Sequence, residues 1–303
     1  MDKQPTSAPR SYKLAWSYED RVATQHLGSH KYSTSTRAIG ELVANALDAN
    51  ASLVDVELIE NPLGGIEKVA ILDNGCGITP ADLKKRFVVV GVEPSLSSDS
   101  ARLGRLGVGR LAVHRIGTLS KWTTTAKVDG KCIQSTFTLR TDEGRKLEIQ
   151  ETEVALDSPT GTTIEVFNVL DAGKGLTAAR ISMDLLSQYC SFLLGHANRK
   201  IRVCGEDLDV QGLIESSEIE QIPSTDTIAE ATLNHLTLRR SVDQSKFPNQ
   251  VLFSAKGRTV ASSQPEDAPS PQYLGIVECP YLDSLVTSNR ELLMEMDWTC
   301  PRF

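Results

Sequence analysis

Apolar positions recur along the first third of the chain with two different periods. In "RAIGELVANALDAN", Ile39, Leu42, Val43 and Ala46 fall at i, i+3, i+4 and i+7, one stripe of a helix expected over Ser33–Ala51. The next run, "LVDVELIE", alternates Val54, Val56 and Leu58 with Asp55 and Glu57, which marks a half-buried strand. "KVAILD" is apolar through its centre and ends on Asp73, so it reads as a buried strand that stops at a carboxylate. In "TPADLKKRF", Thr79 is placed as an N-cap, Pro80 occupies the first helical position and Asp82 completes a capping box.

Residues 91–109 are rich in Ser and Gly and read as a loop before a short helix through "LAVHRI". Four strand-like segments follow, "TLSKWTTTAK", "KCIQSTFTLR", "KLEIQETEV" and "GTTIEVFNVL", with "VDGK" and "TDEGR" suited to hairpin turns. The pattern predicts an α+β domain, helices packed on one face of a mixed, mainly antiparallel sheet. Residues 1–12 are polar with two prolines and read as a disordered lead-in, which gives the first domain residues 13–172. The character changes around Leu170–Gly175. Residues 173–303 then read as a smaller α+β domain, with a helix over Thr177–His196 and strands in "KIRVCGEDLDV", "ATLNHLTLRR", "NQVLFSAKGRTVAS" and "YLGIVECPYL".

Composition narrows the class. A 303-residue chain with 40% hydrophobic and 23% charged residues has the mix of a soluble globular protein with room for two cores. Its formal charge of −7 argues against a non-specific grip on nucleic acid, although Arg102, Arg105, Arg110 and Arg115 cluster. The six cysteines form no C-x-x-C pair, so neither a zinc site nor a disulfide framework is expected, which suits a reducing cytoplasm. "MDKQPTSAPR" lacks the apolar centre of a signal peptide, and no apolar run approaches the length of a membrane span.

Three segments carry candidate chemistry. On the first helix Glu41, Asn45 and Asp48 share one side, with no Lys or Arg between Arg37 and Ala51, and Asn45 is a weak helix former in mid-helix. "ILDNGCGITP" puts Gly75 and Gly77 behind Asp73, where glycine lets a ligand approach the backbone. "GRLGVGRLA" places Gly104, Gly107 and Gly109 ahead of a helix, a setting for amides that bind phosphate. Its spacing is neither a Walker loop nor a dinucleotide fingerprint. Taken singly, each has an ordinary reading: a solvated face, a turn aspartate, a glycine loop. Cys76, His26 and His114 read as structural residues.

In order and spacing, these segments closely resemble the GHKL ATPase superfamily of gyrase B, the large heat-shock chaperone, histidine kinases and MutL, over roughly residues 20–170. "GRLGVGRLAVHRIG" is most similar to the MutL, MORC and chaperone branch. "VLFSAKGRTVAS" resembles a strand of a MutL- or MORC-type transducer domain, and "YLDSLVTSNRELL" a segment of MORC-like bacterial ATPases. The resemblance implies a Bergerat-type α/β sandwich followed by a transducer-like domain, with ATP and Mg²⁺ as ligands. It makes Glu41 the general base, Asn45 the Mg²⁺ ligand and Asp48 a lesser nucleotide contact. Asp73 would read the adenine amine, with Gly75 and Gly77 against the purine and Thr163 joining through a water. The amides of Gly104, Arg105, Leu106, Gly107, Val108 and Gly109 would form a phosphate-covering lid. Family members often carry a lysine ahead of the glycines; "EPSLSSDSARLG" has none, which leaves Arg102 or Arg105. Lys246 and Lys256 are the lysines available in the second domain for a γ-phosphate contact.

The implied function is Mg-dependent hydrolysis of ATP to ADP and phosphate, driving lid closure and ATP-dependent homodimerisation. Its client would be a protein or nucleic acid in DNA processing or anti-phage defence. One alternative is a non-hydrolysing, ATP-gated interaction module of a larger complex. Another is histidine-kinase phosphotransfer, which needs a phosphoacceptor hairpin upstream, where His26 and His30 lie in a loop-like stretch.

Overall fold

The computed structural model of the chain describes residues 9–15, 17–18, 34–90, 109–141, 146–170, 175–224, 230–240, 242, 248–265, 268, 272–279 and 282. The chain begins with β1 (Arg10–Ala15) and β2 (Ser17–Tyr18), followed by α1 (Ser35–Asp48), β3 (Leu53–Glu60) and β4 (Ile66–Asp73). Next come α2 (Pro80–Val88), β5 (Val89–Val90), a 3₁₀ turn at Gly109–Ala112 and α3 (Val113–Ile116). A run of long strands follows: β6 (Gly117–Val128), β7 (Lys131–Arg140), β8 (Lys146–Val154) and β9 (Gly161–Val169). The remainder is α4 (Ala178–Gly195), β10 (Lys200–Val203), β11 (Glu206–Asp207), α5 (Val210–Leu213), β12 (Ile214–Ile222), β13 (Ala231–Leu238), β14 (Gln250–Ala255), β15 (Arg258–Ser263) and β16 (Tyr273–Glu278).

Two compact units result: residues 1–181 with 198–207, and residues 182–197 with 208–303. The first holds a nine-stranded sheet in the order β1-β8-β7-β6-β9-β4-β3-β10-β11. Every adjacent pair is antiparallel except β3 with β10. This is the mixed, mainly antiparallel α+β sheet expected from the sequence. The side chains facing the helices are Val54, Val56, Val69, Ile71, Trp122, Ile164 and Val166, all 5% exposed or less. The predicted stripe of α1 (Ile39, Leu42, Val43, Ala46) is buried, and α1 packs against β3, β4 and α3. Thr34 caps α1 by accepting the Arg37 N–H at 3.2 Å. At α2, Thr79 Oγ1 accepts the Asp82 N–H at 3.1 Å, the N-cap bond read from the sequence, and donates to Asp82 Oδ2 at 2.9 Å, so the two side chains pair with each other.

The second unit is a five-stranded sheet, β12-β13-β16-β14-β15, with β14 and β16 parallel. Its part of α4 is tied to the β14–β15 hairpin: Thr259 Oγ1 donates to the Ser187 carbonyl at 2.6 Å, and the Phe192 N–H to the Gly257 carbonyl at 2.9 Å. Val251, Phe253, Val260, Ala261 and Tyr273 form a buried cluster there. Among the described residues no helix is long and apolar enough to cross a membrane.

Three local expectations change. Arg10–Tyr12, read as part of a polar lead-in, lie in β1, because β8 supplies a full antiparallel partner from Arg10↔Glu151 to Ala15↔Lys146. "KIRV", read into the second domain, is β10 and pairs in parallel with β3, burying Ile201 and Val203 in the first unit. "NQVLFSAKGRTVAS" is two strands, because Lys256 (φ 52°) and Gly257 (φ 79°) make a type I′ turn between them. "VDGK" turns the same way through Asp129 (φ 48°) and Gly130 (φ 74°), as its Asp-Gly pair suggests, whereas residues 142–145 of "TDEGR" lie outside the described residues.

Glycine substitutions separate backbone strain from steric conflict. Gly130 has open space around a built Cβ, so Gly130→Ala should cost about 1 kcal/mol from its positive φ alone. Gly77 (φ 70°) would place a Cβ 2.0 Å from the Thr125 carbonyl oxygen in β6, so Gly77→Ala should cost at least about 3 kcal/mol. Urea denaturation of the two variants measures the difference; equal costs would refute the close approach.

Candidate functional site

Asp73 ends β4 on the core-facing side of the sheet, opposite Val54 of β3 and Thr162 of β9. Its Oδ1 accepts two backbone bonds, from the Gly75 N–H at 2.8 Å and the Thr162 N–H at 3.2 Å. Burial pushes the carboxyl up to about 6, while these two N–H groups pull in the other direction. Oδ2 takes no bond among the described residues, so it is the oxygen left to meet a donor.

The loop behind Asp73 is stitched to three elements. The Cys76 N–H donates to the Ala49 carbonyl at the end of α1 at 2.8 Å, and the Ile78 N–H to Thr124 Oγ1 in β6 at 2.8 Å. Asn74 Oδ1 accepts the N–H groups of Ser52 and Leu53, both at 2.9 Å, where β3 begins. A Cβ on Gly75 would sit 2.6 Å from the Ala49 carbonyl oxygen, and one on Gly161 2.0 Å from the Asp73 carbonyl oxygen. Thus Gly75, Gly77 and Gly161 let four backbone segments converge around a single carboxylate. Cys76 is a free, exposed thiol in this turn.

Since Ala49 follows α1 directly, the same stitching fixes the last turn of that helix beside the Asp73 loop, and with it the direction of the helix's polar side. Glu41, Asn45 and Asp48, at i, i+4 and i+7, line it; Asn45 is exposed and the two acids are half-buried. An exposed amide oxygen one turn from a half-buried carboxylate is an oxygen donor set that suits a hard divalent cation. Among the described residues no three His, Cys, Asp or Glu converge, so such an ion would take most of its ligands from water or a bound anion.

The glycine segment is described only at its end. Gly109 opens the 3₁₀ turn that runs into α3, and Leu111, Ala112, Val113 and Ile116 are buried. Ser35 Oγ donates to the Arg115 carbonyl at 3.4 Å, joining α3 to the first turn of α1. Gly104, Arg105, Leu106, Gly107 and Val108 lie outside the described residues, as do Arg102, His26, His30 and Lys246. Burial holds the His114 imidazole below its ordinary range.

Thr163 falls on the other face of the sheet from Asp73. It pairs with Leu72 and Thr123, whereas Thr162 pairs with Asp73 and Thr124. Buried Thr162 gives Asp73 its N–H, and its hydroxyl lies 3.1 Å from that of Thr124. The signal for choosing Thr162 was in the sequence: Ile164 and Val166 are the apolar members of β9, and period 2 puts Thr162 on their side.

Residues 32–162 match the family described as histidine kinase-, DNA gyrase B-, and HSP90-like ATPase. The chain is 33% identical over 150 residues to the DNA mismatch repair protein MutL of Paramagnetospirillum magneticum, a match covering 48% of this chain and 23% of that protein. It is also 33% identical over 171 residues to MutL of Xanthomonas axonopodis pv. citri, covering 54% and 26%. The match therefore spans about a quarter of the length of these relatives. The crystal structure of the N-terminal domain of a DNA repair protein has the same fold, with a TM-score of 0.53 at 16% identity over 88% of this chain and 90% of that one.

The two threonines should behave differently. Thr162→Val removes the buried hydroxyl pair with Thr124 and should lower stability by about 1 kcal/mol and weaken adenine nucleotide binding severalfold. Thr163→Val should change nucleotide affinity less than twofold. Calorimetric titration of both variants with ADP measures this, and a larger loss at Thr163 would place the base contact on the other face.

Proposed function

We propose that this protein binds ATP in the first unit and hydrolyses it to ADP and phosphate. The observation that carries the proposal is the Asp73 carboxylate: half-buried, with Oδ1 held by two amides and Oδ2 left for a donor. An exocyclic adenine amine supplies that donor. Gly75 and Gly77 let the loop behind Asp73 close against Ala49 and Thr125, and the Thr162 N–H holds the carboxylate in place. From there the Glu41, Asn45 and Asp48 side of α1 follows the phosphates, with Asp48 nearer the base end. Glu41 takes the proton of the attacking water as its oxygen bonds the γ-phosphorus and the β–γ bridging oxygen departs with ADP. The Asn45 amide oxygen would hold Mg²⁺, which offsets the negative charge of the phosphates when bound. The amides from Gly104 to Gly109 would cover the phosphates.

In the same reading, nucleotide binding draws two copies of the chain into a dimer, and the second unit acts as the transducer. Similarity to MutL makes a DNA-processing complex, reached through a protein or nucleic-acid client, the favoured setting, with the protein working in the cytoplasm.

Two measurements test the site. Glu41→Ala should leave ATP affinity within a few fold and lower phosphate release by at least ~10²-fold, whereas Asn45→Ala should lower binding and release together. Equal release by wild type and Glu41→Ala would remove the base and leave an ATP-gated binding module.

The second measurement is pH dependence. In the nucleotide-free protein Asp73 protonates near 6, above its unfolded value of 3.8, so its ionised form weighs against folding above pH 6. That penalty is relieved as pH falls from about 6 to about 4. Binding goes the other way. With Oδ1 committed to N–H groups, the added proton sits on Oδ2 and turns the acceptor into a donor. Affinity for adenosine, which has no phosphate to titrate, should fall about tenfold from pH 7 to pH 5. Asp73→Asn should bind weakly and with no such dependence, because its NH₂ must take the Oδ2 position. A flat wild-type profile would remove Asp73 from the base pocket.

A further inference from the structure

Among the described residues β12 is the open edge of the second unit's sheet, paired only with β13. Its nine residues, "IESSEIEQI", are exposed from Glu215 to Gln221, with only Ile214 and Ile222 half-buried. Side chains alternate between the two faces, yet neither face is covered: Ser217, Ile219 and Gln221 are exposed on one side, Glu218 and Glu220 on the other. Ile219 is 64% exposed, one of only three large apolar side chains so open among the described residues. A strand in this position buries almost nothing of its own and is held chiefly by its hydrogen bonds to β13.

Edges of this kind are normally blunted by lysine, proline, a short strand or a covering element. β12 has no lysine, no proline and ordinary strand length, and its one register irregularity lies at its first residues, between Ile214 and Ser216. What it has is charge of one sign. Glu215, Glu218 and Glu220 stand within six residues, with no Lys or Arg on the strand. Among the described residues, His235 Nε2 of β13 lies 3.0 Å from Glu220 Oε2, and Arg239 Nε donates to the Ile214 carbonyl at 3.2 Å.

We propose that β12 is a docking edge that takes an extended, basic peptide segment of a partner protein as an added strand. Backbone bonds along the open edge supply the pairing, and Lys or Arg side chains at alternate positions meet Glu218 and Glu220 on one face while an apolar residue covers Ile219 on the other. A second copy of β12 fits poorly, because pairing it with itself brings two rows of glutamates together.

The test uses the full chain without nucleotide and a synthetic nine-residue peptide of alternating lysine and valine. Fluorescence anisotropy should show saturable binding that weakens with salt. Methylating the backbone nitrogens of alternate peptide residues, which removes the donors a new strand needs, should weaken binding at least tenfold. Glu218→Lys with Glu220→Lys, both on exposed positions, should weaken it to a similar degree and create binding of the alternating glutamate–valine peptide. No binding of the lysine peptide, or equal binding of its methylated form, would overturn strand addition. Nucleotide-free self-association that Ile219→Lys abolishes would assign the edge to a second copy instead.

Discussion

The first unit depends on how one carboxylate oxygen is shared. Asp73 Oδ1 accepts N–H groups from its own loop and from β9, so the end of one central strand is tied to the start of its neighbour. The loop that provides the first of those N–H groups is bonded in turn to the end of α1, the start of β3 and the wall of β6. A carboxylate taken from water into this position is costly: burial raises its pKa, and the two amides offset that in part. The fold keeps the group nevertheless. A neutral, well-packed side chain would satisfy the core better but would present no acceptor at the strand end.

This arrangement also explains why three glycines cluster so closely. Gly75, Gly77 and Gly161 each stand where another backbone passes within the radius of a methyl group, so loop, helix end and two strands meet without side chains between them. The polar row on α1 gains a defined place by the same means. Its helix is anchored at the end nearest Asp73 through Ala49, and near its first turn through Ser35 against α3.

Much of this was legible in the sequence, because the signals are local. The α1 stripe, β3, β4, the Thr79 N-cap, the Asp129–Gly130 turn and β6 to β9 all follow from side-chain period and turn chemistry within about a dozen residues. Features set by distant pairing were not legible. β1 has too few apolar residues to declare itself and exists because β8 offers it partners. β12 is rich in Ser and Glu and stays a strand only through β13. β10 reads as part of the region around it, and only its pairing with β3 assigns it to the first unit. In the site, Asp73 and its glycines were visible as a motif. The choice between Thr162 and Thr163 required the register of β9 against β4, which a single residue's shift reverses.

The return of β10 to the first sheet has a consequence for how the molecule is made. The first unit is discontinuous in sequence, since residues 182–197 belong to the other unit and intervene before Lys200–Val203 pair with β3. On a ribosome, the flank of β3 therefore stays unpaired until Lys200–Val203 have emerged, well after the seven strands from β1 to β9 that belong to this sheet have been synthesised. Throughout that interval the nascent chain presents the backbone groups of β3 as a vacant strand position. Ile201 and Val203 close it last.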